Sequence, residues 1–216
     1  MKRRQLLILL KPQRNRSESL SEAKNKEEIP AAFRRIDFKN FSYPTSFRKR
    51  GIRLRNGTYE IASGIGGNTF ELEDINYVDL TGDGKKKVVI RLFWLSCGGS
   101  CDGGSHLFYF YSIQRGRLRM LSRIETGSLG YTCGLRSFVV HNRSIVVEAF
   151  RRCYLNGVAL KNRYDGDGRD GKFIADKFSR FVFEFHGTGL RLKTRAVLPN
   201  PELDVRNYRP RISINE

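Results

Sequence analysis

Lys87-Val-Val-Ile-Arg-Leu-Phe-Trp-Leu95 is nearly continuous in apolar residues, with Arg91 the exception among its inner positions. A run rich in β-branched and aromatic side chains and lacking a polar face suits a central strand covered on both sides. Outward from it, further strands are predicted at 34–41, 51–55, 58–62, 71–79, 105–113, 117–125, 134–140, 144–151, 178–186 and 189–197, most of them only a few residues apart. Phe181, Phe183 and Phe185 alternate with Val182, Glu184 and His186, which predicts one apolar and one partly wet face. Gln114-Arg-Gly-Arg117 and His141-Asn-Arg-Ser144 lie between strands and carry Gly or Asn, residues that tolerate the positive φ of tight hairpins. The fold class is therefore all-β, with antiparallel hairpins forming a sandwich, a barrel or an incomplete propeller-like sheet stack.

Residues 1–30 read as a basic tail and linker, 31–200 as one β domain and 201–216 as an irregular tail. Met1-Lys-Arg-Arg-Gln-Leu-Leu-Ile-Leu-Leu-Lys11 opens like a secretory signal, but Lys11 ends its apolar run after five residues. A signal core needs roughly 7–15, so the segment reads as a remnant of such a signal or as a sticky basic tail. No stretch approaches the roughly 20 apolar residues of a membrane-spanning helix. Asn156 to Phe178 is glycine-rich and charged, and is expected to form an extended loop.

Forty Lys and Arg against twenty-two Asp and Glu leave a formal charge of +18, enough to attract nucleic acid, anionic headgroups or acidic polysaccharide. Phe33-Arg-Arg-Ile-Asp-Phe-Lys-Asn-Phe-Ser-Tyr43 and Phe47-Arg-Lys-Arg50 interleave aromatics with cations. Arg34, Arg35, Lys39, Arg48, Lys49 and Arg50 are thus polyanion-binding candidates. The plainer reading is an amphipathic edge strand whose aromatics belong to the core.

The sharpest local pattern is Asp79-Leu-Thr-Gly-Asp-Gly-Lys85, set between two predicted strands. Oxygens of Asp79, Thr81 and Asp83, with the Lys85 carbonyl, can converge on one point while Gly82 and Gly84 let the chain curl, and calcium takes six to eight such ligands. Tyr77-Val-Asp-Leu-Thr-Gly-Asp-Gly-Lys-Lys-Lys-Val-Val89, then Gly98-Gly-Ser100 and Phe108-Tyr-Phe-Tyr111, resembles the single-copy loop of certain bacterial extracytoplasmic proteins related to FG-GAP and VCBS repeats. The likeness spans about 71–113 and implies a calcium loop and an extracytoplasmic location. It also implies a carboxylate at the ninth loop position, where this chain has Lys87. With Lys85 and Lys86 beside it, that substitution opposes a divalent cation and predicts calcium binding no tighter than roughly 10⁻⁴–10⁻³ M. The alternative is a β turn capped by the Asp79 and Asp83 side chains. Asp165-Gly-Asp-Gly-Arg-Asp-Gly171 also alternates carboxylates, but lacks flanking strands.

Cys97, Cys101, Cys133 and Cys153 permit two disulfides, a four-thiolate metal site or free thiols, and only Cys97 and Cys101 have the spacing of a zinc knuckle. If Asn142 and Arg143 form a two-residue turn, residues opposite each other across the hairpin have numbers summing to 285, which sets Cys133 one step from Cys153. A small register shift or bulge predicts a Cys133–Cys153 bridge, with Cys97 paired to Cys101 across its glycine loop.

No G-x-S-x-G, H-E-x-x-H, P-loop or dinucleotide fingerprint is present, and His106, His141 and His186 fall at predicted strand or turn edges where solvent-facing side chains are expected. The leading functional expectation is a non-enzymatic extracytoplasmic β domain of structural or interaction type, without a cofactor unless weak calcium, whose partner is a cell-surface component. The rivals are a polyanion-binding basic module and a hydrolase with an unrecognised site.

Overall fold

The structure is a computed structural model that describes residues 30–214 apart from 47, 64–65, 98–103, 128–132, 142, 152, 155–162, 165–174, 188 and 203–207. Its strands among the described residues are β1 (Ser42–Tyr43), β2 (Ile52–Arg53), β3 (Thr58–Ser63), β4 (Gly66–Val78), β5 (Lys87–Cys97), β6 (Gly104–Gln114), β7 (Arg117–Glu125), β8 (Leu135–His141), β9 (Ser144–Phe150), β10 (Cys153–Tyr154), β11 (Arg163–Tyr164), β12 (Lys177–His186), β13 (Gly189–Pro199) and β14 (Arg211–Ile214). Two five-stranded sheets carry the fold, in the orders β3-β4-β5-β6-β7 and β13-β12-β9-β8-β14. They pack face to face as a sandwich.

The apolar run at 87–95 is the middle strand of the first sheet and is covered on both faces. Val89 points with Phe108, Phe110 and Leu121 toward Phe138, Val140, Ile145, Val147, Phe181 and Phe183 of the second sheet. Val88, Ile90 and Leu92 point the other way, with Tyr109 and Tyr111, onto Phe33, Phe38, Tyr43, Ile52 and Leu54 of the N-terminal segment. That segment is pinned to the sheet by the Tyr109 hydroxyl, which donates to the Pro44 carbonyl at 2.8 Å.

The predicted strand at 34–41 does not form: a 3₁₀ turn at Ala31–Phe33 precedes it and a second, Phe38–Asn40, lies within it. Asp37 explains the second, because its carboxylate accepts from the Lys39 backbone N–H at 3.0 Å and the Asn40 amide at 2.7 Å, a local alternative to strand pairing. Its aromatics Phe33, Phe38 and Tyr43 are core, as the plainer reading expected. The tail beyond residue 200 also departs from its irregular reading. β14 pairs in parallel with β8, from Arg211↔Ser137 to Ile214↔Val140, and lays Ile212 and Ile214 on the core between the sheets.

Both hairpins take their turns as read. Arg115 and Gly116 have φ of 52° and 72°, the left-handed pair a two-residue turn between Gln114 and Arg117 requires. Arg143 has φ 66° in the other, where His141 pairs with Ser144.

Cys133 and Cys153 lie at disulfide distance, with Cα atoms 5.5 Å apart, but by a different route from the expected one. Pairs from His141↔Ser144 to Ser137↔Glu148 do sum to 285, and a bulge then gives Leu135↔Ala149, a sum of 284. That shift moves Cys133 away from Cys153. The chain recovers the contact by reversing at Arg151 (φ 71°), while the Cys153 N–H donates to Ser179 Oγ at 2.8 Å. The Cys97–Cys101 pairing, the Asp165–Gly171 string, the tail before Pro30 and most of the 156–178 loop lie outside the described residues.

Within the central run Phe93, Trp94 and Leu95 are only partly buried, as are Phe185 of the alternating strand and Val146 of β9. Val146 lies with its cross-strand partners Val139 and Val182 on the outer face of the second sheet. Trp94 stacks on Phe70 (centroids 5.6 Å apart) at the margin of the N-terminal cover, and its indole N–H donates to Asn68 at 3.0 Å.

Candidate functional site

The loop joining β4 to β5 is organised by two aspartates. Asp79 turns both carboxylate oxygens onto backbone amides: Oδ1 accepts from Thr81 at 3.2 Å and Gly82 at 2.7 Å, and Oδ2 from Gly84 at 2.8 Å. Gly82 and Gly84 reach these positions at φ of 69° and 72°, where a side chain is strained. Burial alone would raise the Asp79 pKa, but the amides of Gly84, Gly82 and Thr81 outweigh it and hold the carboxyl below its usual range. Asp83 closes the loop by accepting from the Lys85 amide at 3.0 Å.

The centre of this ring is occupied by the protein's own cation. Lys87, at 6% exposed, sends its ammonium back into the loop, where Nζ donates to Thr81 Oγ1 at 2.7 Å, Asp83 Oδ1 at 2.6 Å and the Lys85 carbonyl at 2.7 Å. An ammonium has three N–H donors, and all three are used. Thr81, Asp83 and Lys85 are thus brought together as the calcium pattern required, whereas Asp79 is committed to amides. Lys87 does more than the expected repulsion of a cation: its ammonium engages the oxygens of Thr81, Asp83 and Lys85 that the calcium pattern would use. The Lys87 bond is the main reason the Asp83 carboxyl is driven far below its usual range.

This arrangement predicts a loop that folds without metal. The unsubstituted chain is expected to show no calcium heat and no chelator-dependent shift in melting temperature. Lys87→Ala should cost about 1–3 kcal/mol, the lower part being favoured because the Asp83 side chain is 49% exposed and water can replace the lost donor. Lys87→Glu should gain calcium-dependent stability, with affinity about 10⁻⁴–10⁻³ M. Calorimetry and melts with and without chelator check all three, and micromolar calcium binding by the unsubstituted chain would refute the tethered-cation reading.

Next to the loop the sandwich end is concave and basic. A recess of about 920 Å³ is lined by Lys85, Lys86, Lys87, Ser112 and Arg115 among others, with Asp83 the only carboxylate among the described residues that line it. A second, of about 770 Å³, is lined by Gln114, Arg115, Arg117, Arg119, Met120 and Leu121. The two share Gln114, Arg115 and Leu121, so they adjoin across the β6–β7 turn, and together they are called the groove. Ser112 is 5% exposed and its Oγ has no hydrogen-bond partner. Asp83, Lys85, Lys86 and Lys87 were named from the sequence as parts of a calcium loop and residues 114–117 as a turn, but none was named as an anion site; the signal available was Arg115, Arg117 and Arg119 at alternate positions.

The cations that were named lie elsewhere. Arg34, Arg35, Lys39, Arg48, Lys49 and Arg50 are all exposed on the N-terminal segment. Arg48 donates to the Tyr59 hydroxyl and lies over its ring at 5.9 Å. Of the aromatics interleaved with them, Phe33, Phe38 and Tyr43 face the core and Phe41 is partly buried against it, while Phe47 lies outside the described residues.

His141 and His186 are exposed as expected, but His106 is 7% exposed, a correction. Its Nδ1 stands 3.3 Å from Glu73 Oε2, which also pairs with Arg91 at 2.8 Å, and Arg91 Nε donates to Asp74 at 2.8 Å. A bulge between Leu72 and Asp74 admits Glu73, and with it two carboxylates converge on the arginine of the central strand. Burial pushes the Glu73 pKa up, but His106 and Arg91 together bring it below the usual range. The cluster explains how Arg91 is tolerated in an otherwise apolar strand. Among the described residues no group of three or more His, Cys, Asp or Glu could hold a metal ion, and no helix is long and apolar enough to cross a membrane.

The likeness to FG-GAP and VCBS loops rests on the quoted residues alone, for no family model, curated protein or solved structure matches the chain.

Proposed function

We propose that the chain is a non-enzymatic interaction module that binds a negatively charged partner in the groove over the β6–β7 turn. The observation that carries this reading is the charge of that groove. Lys85, Lys86, Arg115, Arg117 and Arg119 line it, and Asp83, its single acidic side chain among the described residues, is already held by Lys87. With a formal charge of +18 behind it, such a concavity concentrates anions and steers their approach. The Cys133–Cys153 pair supports an oxidising, extracytoplasmic compartment, where a cell-surface component would be the partner.

Retention of the full chain on a heparin matrix tests the groove. Arg117→Glu with Arg119→Glu should elute at markedly lower salt and flatten the dependence of log affinity on log salt by about 1 for each contact removed. Arg48→Glu with Lys49→Glu changes net charge equally but lies on the N-terminal segment, and should alter retention little. Equal losses from both pairs would reduce the groove to general surface charge and reject the proposal.

A further inference from the structure

We infer that the negatively charged partner is an acidic polypeptide in extended conformation, which joins the first sheet as a sixth strand along β7. The inference rests on the groove reading above and names its ligand class. β7 is the outer strand of its sheet, with β6 on one side and no strand on the other among the described residues. Gln114 and Arg117 close the two-residue turn as a bonded pair, so the backbone N–H and C=O of Leu118, one residue on, point away from β6. An incoming chain finds a row of main-chain donors and acceptors there.

Charge selects what joins the row. Arg115, Arg117 and Arg119 recur at every second position along one concavity, and within the strand Arg117 and Arg119 are separated by about 6.8 Å, twice the rise per residue. Alternate side chains of an added strand have that same spacing, so carboxylates at every second position meet guanidinium groups in register. Met120, 43% exposed in the same recess, offers an apolar contact to the residues between them. A second copy of this chain is disfavoured by the same arginines, since β7 against β7 sets like charges opposite one another. Nucleic acid is disfavoured because neither aromatic among the described residues of the adjoining recess offers an open ring face: Phe33 is 2% exposed, and Phe185 is partly buried against the core between the sheets.

The probe is a fluorescent peptide with glutamate at every second position and valine between, titrated into the full chain. Four comparison ligands carry the same charge: a peptide with its glutamates in one block, two peptides N-methylated on either alternate set of backbone amides, and an oligonucleotide. Strand addition predicts tightest binding by the alternating peptide, loss of about tenfold per hydrogen bond for one N-methylated set but not the other, and slowed exchange of the Leu118 amide. Equal binding by both N-methylated peptides, or by the blocked peptide, would overturn strand addition while leaving an anion-binding groove. Tighter binding by the oligonucleotide would overturn the polypeptide assignment, and sedimentation showing a dimer that the peptide cannot dissociate would give the edge to a second copy. Failure of every anion, heparin included, would remove the groove reading itself.

Discussion

Phe138→Ala is expected to lower stability by about 3–5 kcal/mol, among the largest losses any single truncation in this chain should cause. Phe138 is fully buried between the two sheets and its ring lies flat against Phe108, centroids 3.7 Å apart and planes 3° from parallel. Phe110 meets it on the other side at 6.4 Å. Removing the ring deletes the transfer free energy of a whole aromatic side chain and leaves a cavity that neither sheet can close, because each is held by its own ladder. Trp94→Ala should cost less, since Trp94 lies at a margin where water can fill the gap. Denaturant melts of both variants, with the disulfide oxidised, give the comparison. A loss below about 1 kcal/mol for Phe138→Ala would mean that the sheets repack freely and that the aromatic stack is not what joins them.

Glu148→Ala should cost about 3–5 kcal/mol for a different reason, the stranding of a buried guanidinium. Glu148 is 5% exposed on the outer face of β9, the central strand of the second sheet. Its Oε2 accepts from Ser137 Oγ at 2.9 Å and from Arg136, and its Oε1 accepts from Arg180 Nε at 2.8 Å. Arg136 is 8% exposed and stacks over Phe178 at 4.2 Å, so it cannot simply turn out to water. Replacing both partners, Glu148→Met with Arg136→Leu, should recover much of the loss, as apolar substitution of a buried ion pair often does. A double variant as unstable as the single one would show that the network's other bonds, not the stranded charge, set the cost.

The same network gives a pH dependence. Burial raises the Glu148 pKa, but hydrogen bonds from Arg180 and Ser137 and the charges of Arg136 and Arg180 bring it below the ordinary value of 4.5. A carboxyl whose folded pKa is depressed contributes stability that is full above its unfolded pKa and is lost as pH falls through the folded one. Acid melts should therefore steepen below about pH 4.5 in the parent, and Glu148→Gln should flatten that slope. Parallel slopes would exclude Glu148 as a source of acid sensitivity.

Much of the sheet structure was legible because its signals are local. The strand at 117–125 begins and ends where alternation and the Arg-Gly turn place it, and the central strand follows from an apolar run with no wet face. Where a side chain could satisfy its own backbone, alternation misled: Asp37 draws 38–40 into a 3₁₀ turn. β14 escaped notice because four residues carry too little periodicity, and only a parallel neighbour far upstream makes them a strand. Bulges were invisible for a similar reason. The one between Leu135 and Ser137 turns Arg136 out of the core side of its strand and onto Glu148, and it moves the hairpin register opposite to the direction the cysteines needed.

By itself the sequence determined the all-β class, the two hairpin turns, the two-sided central strand and the convergence of Thr81, Asp83 and Lys85, while the Cys133–Cys153 pair was named from it on a register that the fold does not use. Each follows from side-chain period, backbone freedom or spacing within a short stretch. Only the tertiary structure decided that Lys87 points into the loop, that His106 is enclosed beside Glu73 and Arg91, and that the basic groove runs over the β6–β7 turn and takes its cations from there and not from Arg34, Arg35, Lys39, Arg48, Lys49 or Arg50. The direction of a long side chain is set by which oxygens and which neighbouring surfaces surround it, and those come from strands distant in the chain. Charge can be counted along a sequence, but whether it neutralises a carboxylate or faces solvent depends on what the fold puts within reach.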